Sequence, residues 1–115
     1  MRFKVILAMV NEDHQEKVIQ AAKEAGATGV TILNARGEGI RGQKSFFGLN
    51  VEVQKEVLLF LVEDFISDDI MDAIFKAGQF KERGNGIAFS LLVERGIGLE
   101  SQMTILEEDA KKHYF

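Results

Sequence analysis

The stretch that decides the fold runs from Val57 to Phe75 and reads VLLFLVEDFISDDIMDAIF. Its first six residues are all apolar, and no apolar run in the chain is longer. Six residues are too few to cross a bilayer, so the run predicts a strand buried on both faces. Ser67 predicts the N-cap of a following helix with acidic residues in its first turn, and Gly78 predicts its end. The predicted buried stripe of that helix consists of Ile70, Met71, Ile74 and Phe75.

The flanking parts of the chain extend this strand–helix pattern. Residues 3–10 alternate with a period of two, which predicts a strand with one apolar face and one mostly apolar face. Asn11 predicts the N-cap of a helix that Gly26 ends, and the β-rich residues 30–33 predict a second strand. Residues 87–94 alternate again. The resulting order β-α-β-β-α-β predicts an α+β, ferredoxin-like βαββαβ sandwich.

This topology has a consequence for assembly. Its first and third strands are central, both helices cover one face of the sheet, and both central strands here are apolar on both sides. Four large apolar side chains left in water would forfeit on the order of 6–12 kcal/mol, which a marginally stable chain does not tolerate. We therefore expect the uncovered face to pack against other copies of the chain. The alternative is that residues 100–115 fold back and cover it.

Composition narrows the class of function. The 115 residues predict one domain, residues 1–99, with a C-terminal tail at residues 100–115. There is no cysteine and there are two histidines far apart in the sequence, so we expect no disulfide, no thiol nucleophile and no metal site. The net charge of −4 argues against a nucleic-acid-binding surface. No signal peptide or membrane-inserting segment is visible, and the expected location is cytoplasmic.

Three motifs stand at the ends of the predicted elements. They are GATGVT at 26–31 followed by RGEG at 36–39, DDIMD at 68–72, and GNGIAF at 84–89. Together they resemble, in sequence and spacing, motifs of the PII family of nitrogen-regulatory signalling proteins. The resemblance covers most of residues 3–95. It implies a PII-like fold that forms a homotrimer and acts as a regulator, not as an enzyme.

The resemblance gives a meaning to the long connection at residues 37–56. Members of the family bind adenine nucleotides between subunits and grip a target protein with a mobile loop. Twenty residues are more than compact domains usually need for a connection. The resemblance thus implies a small-molecule effector and a protein partner, for which a membrane transporter is one candidate. The predicted partner-binding residues are Arg41, Lys44, Phe46, Phe47 and Leu49. The alternative is a hairpin extension whose aromatic side chains pack back on the body.

The expected effector site is built from glycine loops. Glycines allow backbone amides to approach a phosphate closely, so we predict an adenine-nucleotide-type ligand there. The predicted ligand-binding residues, some implied by the resemblance alone, are Gly37, Gly39, Gln43, Arg83, Gly84, Asn85, Gly86 and Arg95. The alternative is that these glycines only form turns.

The sequence also departs from the family. Ile87 stands where the family has a lysine that contacts phosphates, and Gly98 and Glu100 stand where it has arginines. Either the ligand is less charged than a triphosphate, or other cations substitute. The nearby cations are Arg36, Arg41, Lys81 and Arg83. The tyrosine that many members modify in the loop is missing.

Two further functions are compatible with the fold. One is a small trimer without nucleotide binding, similar to the metal-tolerance relatives of the same fold. The other is a small enzyme, for which Glu63 and Asp64 at the end of the third predicted strand are the candidate carboxylates. A solvated strand end explains these two residues as well, and we expect no catalytic residues.

Overall fold

The computed structural model of the chain describes residues 2–36, 45–46, 49–50 and 55–99. The helices are α1 (Gln15–Glu24), which follows a short 3-10 turn (Glu12–His14), and α2 (Asp64–Ala77). The strands are β1 (Phe3–Asn11), β2 (Thr31–Ala35), β3 (Ser45–Phe46), β4 (Leu49–Asn50), β5 (Lys55–Glu63) and β6 (Gly86–Leu92). Neither α-helix is long and apolar enough to span a bilayer.

The main sheet has the strand order β2-β5-β1-β6, and all its neighbouring strands are antiparallel. The two strands predicted to be central, β1 and β5, are central. β3 and β4, which follow β2 and precede β5 in the sequence, pair with each other as a separate two-stranded sheet. The ferredoxin-like order predicted from the alternating strands is thus confirmed, with this short hairpin added to it.

Both helices pack on the same face of the sheet, which we call the helix face. Ile6 and Phe60 are opposed across the two central strands and are fully buried or nearly so. The same side of the sheet supplies Ala8, Val10, Leu58 and Val62, and the helices supply Val18, Ala22, Ile66, Ile70 and Ile74. Burial of these side chains is the main favourable contribution to folding of the single chain.

The opposite side of the sheet, which we call the open face, is equally apolar. Alternation and register place the following residues on it: Val5, Leu7, Met9, Leu33, Val57, Leu59, Leu61, Ile87, Phe89 and Leu91. At its edges Leu33 is 49% exposed, Phe89 38% and Leu91 53%. Residues 100–115, the alternative cover for this face, lie outside the described residues.

The start of α2 differs from the prediction. The helix begins at Asp64, so the prediction that Ser67 caps it was wrong. Ser67 is buried in the second turn, where its hydroxyl donates to the backbone oxygen of Asp64 over 2.8 Å. The helix starts earlier because Ile66 belongs to the same buried stripe as Ile70, four residues later.

Other boundaries moved by one or two residues. β5 begins at Lys55, so the predicted loop 37–56 is two residues too long at its C-terminal end.

Phe75, predicted to be buried, is 49% exposed and meets the ring of Phe80 edge-on at 6.4 Å. Gly26 has the predicted left-handed conformation, with φ of 119°.

Candidate functional site

The sequence-predicted glycine turn and both ends of the long connection meet at one end of the main sheet. Lys55, the first residue of β5, has Asn11 of β1 and Ala35 of β2 as its Cα partners. On the other side of β1, Gly86 at the start of β6 is opposed to Val10. We call this region, with the turn 79–85 that leads into β6, the loop end of the sheet.

A buried lysine lies at the centre of the loop end. Lys55 is 6% exposed. Its ammonium group donates to Oδ1 of Asn11 and, over 3.1 Å, to the backbone oxygen of Gly84. Burial lowers the pKa of Lys55 below its ordinary value. An ammonium has three N–H donors, and these two acceptors among the described residues use two of them.

Asn85 joins the glycine turn to the end of β1. Its Oδ1 accepts from Nδ2 of Asn11 over 3.2 Å, and its Nδ2 donates to the backbone oxygen of Gln79 over 3.1 Å. Asn11 takes the N-cap position of the 3-10 turn that leads into α1, as predicted, but its side chain makes no cap hydrogen bond and binds Lys55 and Asn85 instead. Asn85 therefore positions the turn relative to the buried cation.

Both glycines of the turn have structural reasons to be glycine. Gly84 has φ of 86°, a left-handed conformation that side chains disfavour. A Cβ atom at Gly86 would lie 2.2 Å from a ring carbon of Phe80. Backbone conformation at Gly84 and packing at Gly86 account for these two residues, so their identity does not by itself require a bound phosphate.

The predicted cations are not all at the loop end. Arg83 and Lys81 lie exposed in the turn, and Arg36 follows β2 directly. Arg95 lies beyond the opposite end of β6, where the backbone N–H of Val93 donates to the oxygen of Phe3. The seven residues of β6 span about 20 Å. Arg95 and the loop end of the same chain thus cannot hold one small ligand together.

The candidate catalytic carboxylates also lie away from the loop end. Glu63 is buried at the end of β5, and Asp64 forms an ion pair with Lys4 at 3.1 Å. Within residues 2–36 and 55–99, no three His, Cys, Asp or Glu side chains come close enough together to hold a metal ion. Glu63 and Asp64 therefore do not share a site with Lys55 and the glycine turn.

A cavity of about 390 Å³ lies on the helix side of the sheet, between α1 and the segment before β2. It is lined by Ile19, Lys23, Ala27, Thr28, Gly29, Val30 and Phe60. None of these residues belongs to the loop end. The polar contacts described above, rather than this cavity, mark the candidate site.

Comparison with known proteins decides the family. The sequence profile of the family described as nitrogen regulatory protein P-II matches residues 3–102. The chain belongs to this family. The nitrogen regulatory protein GlnK2 of Haloferax mediterranei is 30% identical to this PII-family chain over an alignment of 109 residues, and the match covers 88% of the chain and 86% of GlnK2.

Solved structures show the same fold. A PII-like signalling protein of Thermus thermophilus has a TM-score of 0.61 and 26% identity, and the match covers 81% of this chain and 88% of that one. The protein CPII of Thiomonas intermedia, solved with ADP, AMP and acetate, has a TM-score of 0.59 and 20% identity, with 82% and 90% covered. The predicted PII-like fold is therefore confirmed.

Several predicted residues of the PII-family chain stay predictions. Gly37, Gly39, Arg41, Gln43, Lys44 and Phe47 lie outside the described residues. Phe46 and Leu49 are Cα partners in the β3–β4 hairpin. The alternative interpretation of residues 37–56 was a hairpin whose aromatic side chains pack back on the body. The backbone pairing of β3 with β4 agrees with the hairpin part of that interpretation.

Lys55 is the site residue that sequence reasoning missed. It stands at the start of a strongly apolar strand, where a lysine is easily taken for the polar end of a loop. The signal that would identify it is its register opposite Asn11, because that pairing brings its ammonium group to the glycine turn. Register is a tertiary property, and the spacing of these residues in the sequence does not reveal it.

Proposed function

We propose that this PII-family chain is a regulator that binds a small anionic effector of the adenine-nucleotide type at the loop end of the sheet. The effector would lie between copies of the chain, and its binding would be transmitted to a protein partner through residues 37–54. The observation that carries the proposal is the buried Lys55, held beside the glycine turn and beside both ends of the long connection.

The charge of Lys55 supports an anionic effector. The two acceptors that the described residues offer to this buried ammonium group are neutral oxygens, and a phosphate or carboxylate at a further N–H would supply a counter-charge. Lys55 thereby offers a cation in a site where Ile87 replaces the lysine that the family resemblance implies. Lys81 and Arg83, exposed in the adjoining turn, add to the positive potential there.

Assembly of several copies is part of the proposal. The apolar open face favours burial against other copies, and a homotrimer is the assembly that the family resemblance implies. Lys55 lies on the same side of β5 as Val57, Leu59 and Leu61, and it stands at the start of the open face. An effector at Lys55 would therefore lie at the edge of the contact between copies. There Arg95 of a neighbouring copy would approach the effector, whereas Arg95 of the same chain is too far from it.

One protein of the same fold is known with nucleotides bound. CPII was solved with ADP, AMP and acetate, which are all anions, although at 20% identity that likeness establishes the fold alone. GlnK2 is described as a nitrogen regulatory protein, in keeping with a regulatory role rather than a catalytic one.

The output of the regulator would be the conformation of the long connection. Ala35 and Lys55 hold its two ends side by side, so an anion bound at Lys55 would favour those loop conformations that also contact it. Arg41, Lys44, Phe46, Phe47 and Leu49 are the residues proposed to meet the partner. Control of a membrane transporter and a cytoplasmic location stay predictions.

The proposal is tested by calorimetry with ATP, ADP, AMP and cyclic AMP. At least one of them should bind, and Lys55→Met should weaken that binding about 10- to 100-fold, the loss expected for one charge-assisted hydrogen bond. Lys23→Met, which removes an exposed lysine of α1, should leave the affinity unchanged. Absence of heat with all four nucleotides would reject the nucleotide effector. Equal affinities of the wild type and Lys55→Met would reject the site.

A second candidate function is favoured by the packing of the turn. Because φ at Gly84 and the ring of Phe80 at Gly86 explain both glycines, a trimer of this fold without nucleotide binding is also consistent with the turn. The same calorimetry separates the two. This second function predicts an assembled protein, detected by light scattering, that takes up none of the nucleotides.

A further inference from the structure

The cavity between α1 and the segment that leads into β2 takes no part in the effector site. Its volume of about 390 Å³ is at the lower end of the range found for small-molecule sites. Protein interiors are close-packed and contain few voids larger than a water molecule, so an opening of this size beside the core is unusual. We call it the α1 cavity. The described residues of its lining all lie away from the loop end.

The floor and walls of the α1 cavity are apolar. Phe60 belongs to the lining and is 1% exposed, so water hardly reaches its ring and it forms the floor. Ile19 and Val30 also line the cavity, and both are partly buried against the core. Because water beside such side chains finds few hydrogen-bond partners, its displacement by an apolar group is favourable. The cavity therefore suits a ligand with an apolar body.

Gly29 leaves room at one side of the α1 cavity. Unlike Gly84, it has no left-handed backbone conformation, and unlike Gly86, it could carry a Cβ atom that meets no atom within 4 Å. Neither backbone conformation nor packing against the described residues thus accounts for a glycine at this position. The space that a side chain would take up here is open to a ligand.

One cation and one hydroxyl group stand at the rim. Lys23, in the last turn of α1, is exposed, and it is the one titratable side chain among the described residues of the lining. Ile19 precedes it by four residues, so the two side chains lie on the same side of the helix. Thr28 adds an exposed hydroxyl group. A few polar groups around an apolar cavity are what orients a small ligand.

The acidic residues of α1 do not line the cavity. Glu24, which follows Lys23, accepts a hydrogen bond from Nε2 of Gln20 over 3.0 Å. Glu16 lies seven residues before Lys23, which is about 10 Å along the helix. The described rim of the cavity thus carries a positive charge and suits an anionic head group.

We propose that the α1 cavity binds a small carboxylic acid with an apolar body, in its ionised form. The carboxylate lies at Lys23 and Thr28, and the apolar body covers Phe60. This site goes beyond the proposed effector site and shares no residue with it. The α1 cavity is on the helix side of the sheet, whereas Lys55 begins the open face.

Phenylacetate is a probe with both required parts. In an NMR titration of the full chain, the amides of Lys23 and of residues 27–30 should shift with a Kd of about 1 mM or lower. Intermolecular NOEs should connect the ring of the probe to the methyl groups of Ile19 and Val30. Acetate, which lacks the apolar body, should give no saturable shift at residues 27–30. Shifts by phenylacetate that are centred on the loop end, or that do not saturate, would overturn the proposal.

Variants test whether the carboxylate is recognised. Lys23→Met should weaken phenylacetate binding about 2- to 5-fold, the loss expected for an exposed ion pair. The matched control, Lys17→Met, removes an exposed lysine of the same helix that is not among the described lining residues, and it should change nothing. Equal losses in the two variants would contradict the proposal.

A neutral analogue completes the test. Phenylacetamide should bind more weakly than phenylacetate to the wild type, and with equal affinity to the wild type and Lys23→Met. Equal wild-type affinities for the two probes would show that the charge is not recognised. Lys55→Met should leave phenylacetate binding unchanged, so a failure of the nucleotide proposal and a failure of this one are told apart.

Discussion

The two faces of the main sheet are built from alternate residues of the same strands, yet they have different surroundings. Along β5, Leu58 and Phe60 are buried beneath the helices, whereas Leu59 and Leu61 point to the side opposite the two described helices. At the sheet edges the difference is larger, with Leu91 of β6 half exposed. Both sets of side chains are apolar, so composition alone does not distinguish them.

This difference shows that one strand can serve two purposes. The helix face completes its core within a single chain, and its burial stabilises the fold at any protein concentration. The open face gains its stabilisation only from a further surface, so its contribution depends on concentration if that surface is another copy. The following predictions test this difference between the helix face and the open face, from the largest expected effect to the smallest.

The largest effect is expected for Phe60→Ala on the helix face. Phe60 is 1% exposed, and its truncation should lower the free energy of unfolding by about 3–5 kcal/mol. Chemical denaturation at two protein concentrations should show this loss at both. Leu59→Ala, its neighbour on the open face, should instead show a loss that varies with concentration. An equal loss for Leu59→Ala at both concentrations would mean that the two faces do not differ in the proposed way.

Phe89→Glu should disrupt the assembly without unfolding the chain. A carboxylate on the open face would have to be buried without a partner in a contact between copies, which is unfavourable. Light scattering should then give the mass of one chain, 12.8 kDa, while circular dichroism stays that of the wild type. Ile97→Glu, an equally apolar but exposed position beyond β6, should keep the wild-type mass. An unchanged mass for Phe89→Glu would contradict assembly through this face.

Gly86→Ala tests how tightly the helix face is packed near the loop end. Its Cβ would lie 2.2 Å from the Phe80 ring, so the ring must move, and we expect a loss of about 1–3 kcal/mol in thermal or chemical unfolding. Phe80→Leu should remove much of the penalty when the two changes are combined. Gly29→Ala, which would meet no atom within 4 Å, serves as the control and should cost little. Additive losses in the double variant would exclude the Phe80 contact as the cause.

The smallest effect is expected from titration of Lys55, the polar start of the open face. Its pKa in the folded state is lower than the ordinary 10.5 because of burial. Below the folded pKa both states hold the proton. Between the folded pKa and 10.5 only the unfolded state holds it, so the free energy of unfolding rises with pH in that interval.

Denaturation curves from neutral to alkaline pH check this sign. The stability of the wild type relative to Lys55→Met should increase as the pH rises towards 10.5. Lys23→Met should follow the wild-type profile over the same range. A wild-type advantage that falls with rising pH would show that the ammonium form of Lys55 is the one favoured by folding.

Sequence reasoning predicted the strand order because the period-two pattern of residues 3–10 and 87–94 is strong and because both central strands are apolar on both sides. The start of α2 was misplaced because Ser67 is a good capping residue. Ile66, which precedes Ser67, already belongs to the buried stripe of the helix. Packing against the sheet outweighed the local capping preference of Ser67, as tertiary packing often outweighs local preferences.

The candidate site was predicted only in part. Residues 84–86 were predicted by their turn chemistry and by the family resemblance, and they lie at the loop end. Lys55 was missed because its contact with Gly84 joins residues 29 positions apart in the sequence, and the pairing depends on strand register. Arg95 was grouped with the turn on family grounds, whereas the length of β6 separates the two within one chain.

The pairing of Ala35 with Lys55 has a consequence for how the connection between them can change. Since the sheet already holds these two residues together, inserting or removing residues between them alters mainly the entropy of closing a ring of chain. That entropy grows slowly, by roughly 0.6 kcal/mol for each doubling of the ring. The part of the molecule proposed to meet its partner can thus be lengthened, shortened or rewritten at little expense to the stability of the rest of the domain.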